Sequence, residues 1–177
     1  NRRALDQYLD TMLLKARQSG SRMAIGLLDL DDLKPINDRY GHATGDRLLL
    51  EVANRLRKVL RANDYVARFG GDEFVLVFED IQHEADIEWL LDRAGETLLQ
   101  PVWMDGASLP LGASLGIALY SADAPASGEQ LLRRADQAMY QIKARKRFRT
   151  RWWAMAHADG TVEAVADSEA SVSAYDD

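Results

Sequence analysis

The sequence predicts an α+β domain with one mixed sheet that is covered by helices. Four long segments carry apolar residues at helical spacing, and short apolar runs between them have the length of buried strands. Tight turns join several of the predicted strands, which therefore pair antiparallel with their neighbours in the chain. Because helices alternate with these strands, we expect the helices to pack over the sheet.

The first half of the chain begins with the amphipathic helix "RRALDQYLDTMLLKARQ", which should end near Gly20. A buried strand, "RMAIGLLDLD", follows. Pro35 suits the first turn of the short helix "KPINDRY", and Gly41 closes that helix. A strong helix, "GDRLLLEVANRLRKVLR", comes next. The strands "DYVARF" and "EFVLVFED" are then joined by a tight turn at Gly70-Gly71.

The second half adds the helix "EADIEWLLDRAGETLL" and the helix "EQLLRRADQAMYQIKARKR". Between them, "VWMDGASLPLGASLGIALY" predicts a hairpin with its turn near Asp105-Gly106. A last hairpin is expected from "TRWWAMAH" and "TVEAVAD", with a turn at Asp159-Gly160.

Composition limits the class of protein. A chain of 177 residues is long enough for one domain with a sizeable core. The absence of cysteine excludes disulfides and thiolate metal sites, and a reducing, cytoplasmic location is natural. The apolar runs are too short to span a bilayer, so we expect no membrane contact. A net charge of -6 gives no reason to expect binding to a nucleic-acid polymer.

The two termini suggest how the chain is organised. It opens on "NRRALDQYLD", which has neither an initiator Met nor a basic-then-apolar leader, so we expect a fragment of a longer protein. From Arg151 onward one arginine stands against six acids, whereas the remainder is nearly neutral. We expect a main domain at 1–155 and an acidic hairpin and tail at 156–177, partly disordered.

Carboxylates follow two of the predicted strands. Asp29 and Asp31 end the first strand, and Asp72 and Glu73 follow the glycine turn. If those strands are neighbours, Asp29 and Asp72 converge, and each raises the pKa of the other unless a cation neutralises them. Mg²⁺ suits such a place, because it takes carboxylate and phosphate oxygens and serves phosphoryl or nucleotidyl transfer. The alternative is that acids at wet strand ends only improve solubility.

Other motifs are excluded. The sixth position counted from Asp29 is Lys34, where an EF-hand loop needs glycine. Neither a Walker A nor a GxGxxG pattern is present. The three histidines, His42, His83 and His157, are too scattered to form a metal site and are expected at the surface or in helix caps.

The motifs around the acids resemble those of the GGDEF family, the diguanylate cyclases. "GGDEF" stands at residues 70–74, and the similar blocks are "DLDDLKPINDRYGHATGDRLL", "RANDYVARFGGDEF", "SLGIA" and "ADQAMYQIK". The resemblance covers roughly residues 1–155. It implies that two GTP molecules condense to cyclic di-GMP and two pyrophosphates between the facing sites of a homodimer. It also implies a central, mainly antiparallel five-stranded sheet wrapped by helices, like nucleotide cyclases and the polymerase palm, here with an extra C-terminal hairpin.

The resemblance also implies roles for single residues. Asp29, the Leu30 carbonyl and Asp72 match ligands of Mg²⁺ or Mn²⁺. Asp72 and Glu73 match catalytic acids, and Asp72 is the candidate for easing deprotonation of the attacking ribose 3′-hydroxyl. The positions that match the GTP-binding site are Leu33, Lys34, Asn37, Asp46, Gly70, Gly71, Lys143 and Arg147.

Guanine selection follows from hydrogen-bond chemistry. An ionised carboxylate at Asp46 can accept from both guanine N1–H and the amino group, a pair that adenine lacks, and Asn37 matches its partner. The alternatives are a polar turn residue for Asn37 and an N-cap for Asp46, in front of a helix that starts near Arg47. Lys34, Lys143 and Arg147 match phosphate-binding positions; as lone bases on helices they would otherwise be solvated.

Arg61 and Asp64 match the family's R-x-x-D inhibitory site, where cyclic di-GMP binds. Arginine can donate to guanine O6 and N7 together. The alternative is an ordinary i,i+3 ion pair of small value.

The sequence departs from the family pattern at a few positions. Lys146 and Phe148 replace the usual Gly and Asn beside Arg147, Leu33 replaces Phe, and Ala113 stands where Thr is common. The leading hypothesis is an active cyclase domain that is controlled by an upstream sensory domain. Two alternatives are a module that binds GTP or cyclic di-GMP as a regulatory receptor without turnover, and a structural dimerisation domain.

Overall fold

The computed structural model describes residues 1–163. The helices are α1 (Arg2–Ser19), α2 (Leu33–Tyr40), α3 (His42–Val59), α4 (Glu84–Leu98) and α5 (Gly128–Ala144). The strands are β1 (Arg22–Asp31), β2 (Tyr65–Gly70), β3 (Glu73–Ile81), β4 (Val102–Met104), β5 (Ala107–Leu109), β6 (Gly112–Tyr120) and β7 (Trp153–Ala156).

Five of the strands form the central sheet, in the order β2-β3-β1-β6-β7. The pairs β2–β3, β1–β3 and β1–β6 are antiparallel, and β6–β7 is parallel. This confirms the predicted α+β fold with a mainly antiparallel, mixed sheet. The long strands β1 and β3 lie side by side near the middle of the sheet, so acids at their ends are brought close together.

The helices cover both faces of the sheet because successive apolar side chains along each strand point to opposite faces. Phe74 and Leu76 of β3 pack in one buried cluster with α3 and α4. Val75 and Val77 of the same strand pack in the other, with α1 and α5. Helix α5 lies close to β6, since a Cβ at Gly116 would come within 1.9 Å of the Ala135 carbonyl oxygen.

Helix ends follow the expected signals. The Asn1 side chain accepts a hydrogen bond from the Arg3 N–H at the start of α1, and Gly20 ends that helix in the left-handed conformation. Ser127 and Gln130 form a capping box at the start of α5.

One predicted turn and one predicted hairpin differ from the structure. The two central residues of the β2–β3 turn are Gly71 and Asp72, not Gly70-Gly71, because Gly70 is still paired with Glu73. The stretch after α4 is not one hairpin. Its turn at Asp105-Gly106 joins β4 to β5 in a separate two-stranded sheet, and β6 is a third strand that belongs to the central sheet.

The segment after α5 adds strand β7 to the edge of the sheet. Trp152 donates its indole N–H to the Leu91 carbonyl of α4 at 2.9 Å, and Trp153 donates to Asp92 at 2.9 Å. The turn near Asp159 is present, and one bridge joins Ala156 to Val162. The rest of the predicted last strand and the tail lie outside the described residues. No helix within residues 1–163 has the length and apolar character needed to cross a membrane.

Candidate active site

The register between β1 and β3 brings the predicted acids together. Asp29 is paired with Glu73 across the two strands. Asp72 lies in the adjoining turn, where its backbone carbonyl accepts a hydrogen bond from the Leu30 N–H at 3.4 Å. The structure therefore places these four residues at one end of the sheet, as the sequence predicts.

The turn that carries Asp72 is fixed by a side-chain hydrogen bond, and the space next to its glycines is free of other atoms of the described chain. Gly71 has φ +50, a conformation that favours glycine, and its carbonyl accepts a hydrogen bond from Arg68 Nε at 2.8 Å. A Cβ at either Gly70 or Gly71 would meet no atom within 4 Å. A ligand can therefore approach the backbone here without displacing a side chain of the described chain.

Lys143, in the last turn of α5, supplies positive charge to the acids. Its Nζ lies 2.5 Å from Asp29 Oδ2 and donates to the Leu30 carbonyl at 3.2 Å. The distance from the same Nζ to Asp31 Oδ1 is 4.0 Å. The side chain of Lys143 is about one-third exposed at 33%, so it can reach solvent as well as the acids.

Lys143 alone does not neutralise the carboxylates of Asp29, Asp72 and Glu73. Burial raises the pKa of Asp29, Lys143 opposes that shift, and the charge of Asp72 raises it further. Burial also raises the pKa of Glu73, and the charges of Asp29 and Asp72 add to the effect. Asp29 Oδ1 is buried and has no hydrogen-bond partner among residues 1–163. This end of the sheet therefore favours a further cation.

The donor set fits a hard cation such as Mg²⁺. Asp29, the Leu30 carbonyl and Asp72 offer oxygen atoms, and one of the Asp29 oxygens is unpaired. Within the described residues, no group of three or more acidic or histidine side chains is arranged to hold a metal by itself. A metal here would complete its shell with water and phosphate oxygens, which is how Mg²⁺ usually binds beside nucleotides.

The predicted guanine-binding residues lie on α2 and α3, which follow each other directly. A Cβ at Gly45 would lie 1.8 Å from Asn37 Oδ1, so Asn37 rests against the backbone next to Asp46. Asn37 Oδ1 is buried without a hydrogen-bond partner among residues 1–163. The capping alternative for Asp46 is wrong, because α3 begins at His42 and Asp46 is an exposed residue inside that helix.

The basic residues divide into two groups. Lys143 and Arg147 line one pocket of about 430 Å³, together with Tyr140 and Phe148. Lys34 is exposed on α2, near the buried side chain of Leu33. The structure thus places Lys143 and Arg147 together and places Lys34 on a separate element.

Two residues near the site were missed by the sequence reasoning. Gly45 makes room for Asn37; the signal was a glycine at the start of a strong helical pattern. Arg149 donates to Asp31 Oδ2 at 2.9 Å and to Ser114 Oγ at 2.7 Å, and Ser114 donates to Asp31 Oδ1 at 2.7 Å. Asp31 is thus occupied in this buried network, and nothing in the spacing of the arginines in "KARKRFR" singles out Arg149.

Lys146 forms a contact that the family pattern does not include. Its Nζ lies 2.5 Å from Asp32 Oδ1, at the residue that precedes α2. Asp32 has φ 57, an uncommon conformation for a residue other than glycine. The replacement at Lys146 therefore joins the end of α5 to the start of α2.

Arg61 and Asp64 lie at the opposite end of the β2–β3 hairpin. Arg61 donates from Nε and Nη2 to the Asp64 carboxylate, with the shortest contact at 2.8 Å, and from Nη2 to the Glu79 carbonyl at 2.8 Å. Hydrogen bonding to Asp64 raises the pKa of Arg61. A pocket of about 280 Å³ beside Arg61 is lined in part by Asp80 and Trp89. The two residues thus form an ion pair, and Arg61 also faces a pocket.

The fold is that of a GGDEF domain. The family model described as "Diguanylate cyclase, GGDEF domain" matches residues 1–149, and the chain belongs to this family. It is 42% identical over 143 residues to the bifunctional diguanylate cyclase/cyclic di-GMP phosphodiesterase MucR of Pseudomonas aeruginosa, covering 81% of this chain and 21% of MucR. The match spans about a fifth to a third of the length of the curated relatives.

Solved structures show the same similarity. The crystal structure of the GGDEF domain of TpbB (YfiN) from Pseudomonas aeruginosa has a TM-score of 0.76 and 36% identity, covering 81% of this chain and 89% of that one. The GGDEF domain of DgcB from Caulobacter crescentus, solved in complex with cyclic di-GMP, has a TM-score of 0.76 and 28% identity. That match covers 90% of this chain and 91% of the DgcB chain.

Proposed function

We propose that this domain is a diguanylate cyclase that condenses two GTP molecules into cyclic di-GMP and two pyrophosphates. The observation that carries the proposal is the convergence of Asp29, Asp72 and Glu73 with the Leu30 carbonyl, where one buried carboxylate oxygen lacks a partner. Such a cluster suits nucleotidyl transfer, because the reaction accumulates negative charge on phosphate oxygens that a metal can neutralise.

In this mechanism Asp29, the Leu30 carbonyl and Asp72 would hold Mg²⁺ or Mn²⁺. When bound, the metal would stabilise negative charge at the α-phosphorus and on the leaving pyrophosphate. Asp72 accepts the proton of the attacking ribose 3′-hydroxyl, and Glu73 adds a second acid opposite Asp29. Lys34, Lys143 and Arg147 bind the phosphates, and the open glycine turn lets the nucleotide approach.

Asp46 and Asn37 select guanine in this proposal. The Asp46 carboxylate accepts hydrogen bonds from guanine N1–H and the amino group. The buried, unpaired Asn37 Oδ1 supports a role for Asn37 in binding the base, since a ligand donor would satisfy it. Leu33 lies at the start of the same helix α2 and is buried.

Catalysis needs two domains, because each site holds one GTP. The 3′-hydroxyl of each GTP must reach the α-phosphate of the other GTP. We therefore propose a homodimer whose pairing is set by an upstream sensory domain, in the cytoplasm, where GTP is available. A relative whose length is about four times that of this chain leaves room for such a domain.

Product inhibition is proposed at Arg61 and Asp64. Cyclic di-GMP would use the guanidinium of Arg61 and the neighbouring pocket, away from the metal end. Inhibition would then come from holding two domains in a pose where their GTP sites cannot meet. If cyclic di-GMP inhibits by competing with GTP, and Arg61→Ala leaves that inhibition unchanged, the product does not bind at this separate site.

The second candidate function is a receptor that binds GTP or cyclic di-GMP without turnover. The observation that favours it is the Lys146–Asp32 contact, which joins α2 and α5 beside the phosphate-binding residues. If this contact prevents turnover, Lys146→Gly, which restores the usual family residue, should raise turnover sharply.

The test is incubation of the purified protein with GTP and Mg²⁺, followed by chromatographic analysis for cyclic di-GMP. We expect product with the parent protein and at least about a hundredfold less with Asp72→Asn. Asp10→Asn, a matched change at an exposed position on α1, should retain full activity. A parent protein that binds GTP and forms no product, alone or with the sensory domain, would favour the receptor.

A further inference from the structure

Lys143 occupies the position that the metal site needs. Its ammonium lies 2.5 Å from Asp29 Oδ2 and 3.2 Å from the Leu30 carbonyl oxygen. These are two of the three groups assigned above as metal ligands. A metal ion bound to the same two oxygens would lie next to that ammonium, and two cations repel strongly at such a distance.

The side chain is suited to leave this position. Lys143 lies in the last turn of α5, on a flexible four-carbon stem, and is about one-third exposed. It also lines the pocket of about 430 Å³ that contains Arg147. From the same Cα, the ammonium can therefore reach the acids or a phosphate group in the pocket.

We propose that Lys143 is a stand-in cation that neutralises Asp29 before the substrate arrives and then moves to the nucleotide phosphates as the metal takes its place. This inference rests on the proposed function and adds an order to its steps. Binding of metal alone must displace Lys143 without offering it a new partner. Binding of metal together with a triphosphate offers that partner, so the two ligands should bind cooperatively.

The coupling has a required symmetry. If nucleotide strengthens metal binding by releasing Lys143, metal must strengthen nucleotide binding by the same factor. Removing the ammonium should therefore change two affinities in opposite directions. Metal alone should bind more tightly, nucleotide should bind less tightly, and the cooperativity between them should fall.

The experiment measures Mn²⁺ binding in the absence of nucleotide, by calorimetry and by the electron paramagnetic resonance signal of free Mn²⁺. In Lys143→Met we expect Mn²⁺ alone to bind on the order of tenfold more tightly than in the parent, since a unit charge beside the site is removed. Lys143→Arg keeps the charge and should bind Mn²⁺ no more tightly than the parent does.

Lys146→Met is the matched control. It removes the same charge from the turn that follows the same helix, but Lys146 contacts Asp32 and not Asp29. If both methionine variants strengthen Mn²⁺ binding equally, the effect comes from the overall positive charge of this region and not from the Lys143–Asp29 contact. The stand-in role is then wrong. Unchanged Mn²⁺ affinity in a folded Lys143→Met protein, checked by its melting curve, also overturns it.

A second titration measures cooperativity with a non-hydrolysable GTP analogue and Mn²⁺ added together. The ratio of Mn²⁺ affinities with and without the analogue should be smaller in Lys143→Met than in the parent. The failure of the proposed function would look different. A parent protein that makes no cyclic di-GMP can still show Mn²⁺ binding that Lys143→Met strengthens, because neither titration requires turnover.

Discussion

Buried acids lie at both ends of the central sheet, but these acids are paired differently. At the end near Arg61, the Asp64 side chain is fully buried and accepts hydrogen bonds from the Arg61 guanidinium. Glu79 at the same end accepts from Tyr8 at 3.4 Å. At the other end, Asp29 Oδ1 is buried without a hydrogen-bond partner among residues 1–163.

This difference separates stability from activity. A buried carboxylate with its partner contributes to folding, whereas a buried carboxylate near like charges costs free energy until a ligand neutralises it. We therefore expect changes at the Asp29 end to remove function with little loss of stability. Changes at the Arg61 end should do the reverse. Four measurements test this comparison.

The largest effect is expected for Asp72→Asn. Turnover should fall by about 10²–10³-fold or more, because a metal ligand and the proton acceptor are lost together. The free energy of unfolding should stay within about 0.5 kcal/mol of the parent value or rise, since Asp72 lies in a turn and repels Asp29. Cyclic di-GMP formation and urea denaturation measure the two. Retained turnover in the folded variant would refute the metal assignment.

Asp64→Ala should show the opposite behaviour. Losing the buried partner of Arg61 should lower the free energy of unfolding by about 1–3 kcal/mol. Initial turnover should be retained, while inhibition by added cyclic di-GMP should weaken. Asn63→Ala, an exposed neighbour, is the control and should change none of these quantities. If Asp64→Ala is as stable as the parent, the two ends do not differ in the way described above.

Asp46→Ala tests whether the active end also recognises the base. The preference for a GTP analogue over the matching ATP analogue should fall by about tenfold or more, because the carboxylate that accepts from guanine is removed. Calorimetric titration with both analogues measures this preference. Asp38→Ala removes an exposed acid from the neighbouring helix α2 and should leave the preference unchanged. Equal affinities in the parent protein would contradict the assignment of Asp46.

Tyr8 gives the smallest effect, at the Arg61 end. Burial, followed by the charge of Glu79, raises the pKa of Tyr8 from 10.0 to about 12. The folded chain therefore binds more protons than the unfolded chain between these values, and the stabilisation present below pH 10 is lost as the pH rises towards 12. Solvent screening should limit the loss to less than about 1 kcal/mol. Denaturation of the parent and Tyr8→Phe across this range should diverge as the pH rises.

The helices and the position of the acids could be predicted from the sequence because both depend on local spacing. Apolar residues at helical intervals mark α1, α3 and α5, and an apolar strand followed by acids marks β1. The division of one apolar stretch into β5 and β6 could not be predicted, since both parts have strand composition. The parallel pairing of β7 depends on contacts between distant segments, which spacing does not encode.

The candidate site shows the same limit at the level of single side chains. The "GGDEF" motif indicates which acids converge, but the partners of those acids come from α5, more than a hundred residues after Asp29. Several bases crowd the segment after Met139, and the sequence does not show that Lys143 contacts Asp29 while Arg149 contacts Asp31. Which base contacts which acid depends on the angle at which α5 crosses the sheet, and the sequence does not give that angle.

The two tryptophans before and within β7 bear on where this chain can be shortened. The family match ends at Arg149, yet Trp152 and Trp153 are buried, and a Cβ at Gly95 of α4 would lie 2.5 Å from the Trp152 indole nitrogen. Removing everything after Arg149 would uncover an apolar groove on α4 and leave the edge of β6 without its neighbour. An exposed edge beside an apolar surface favours association between molecules, so a chain truncated there should scatter light and precipitate where the longer chain remains in solution.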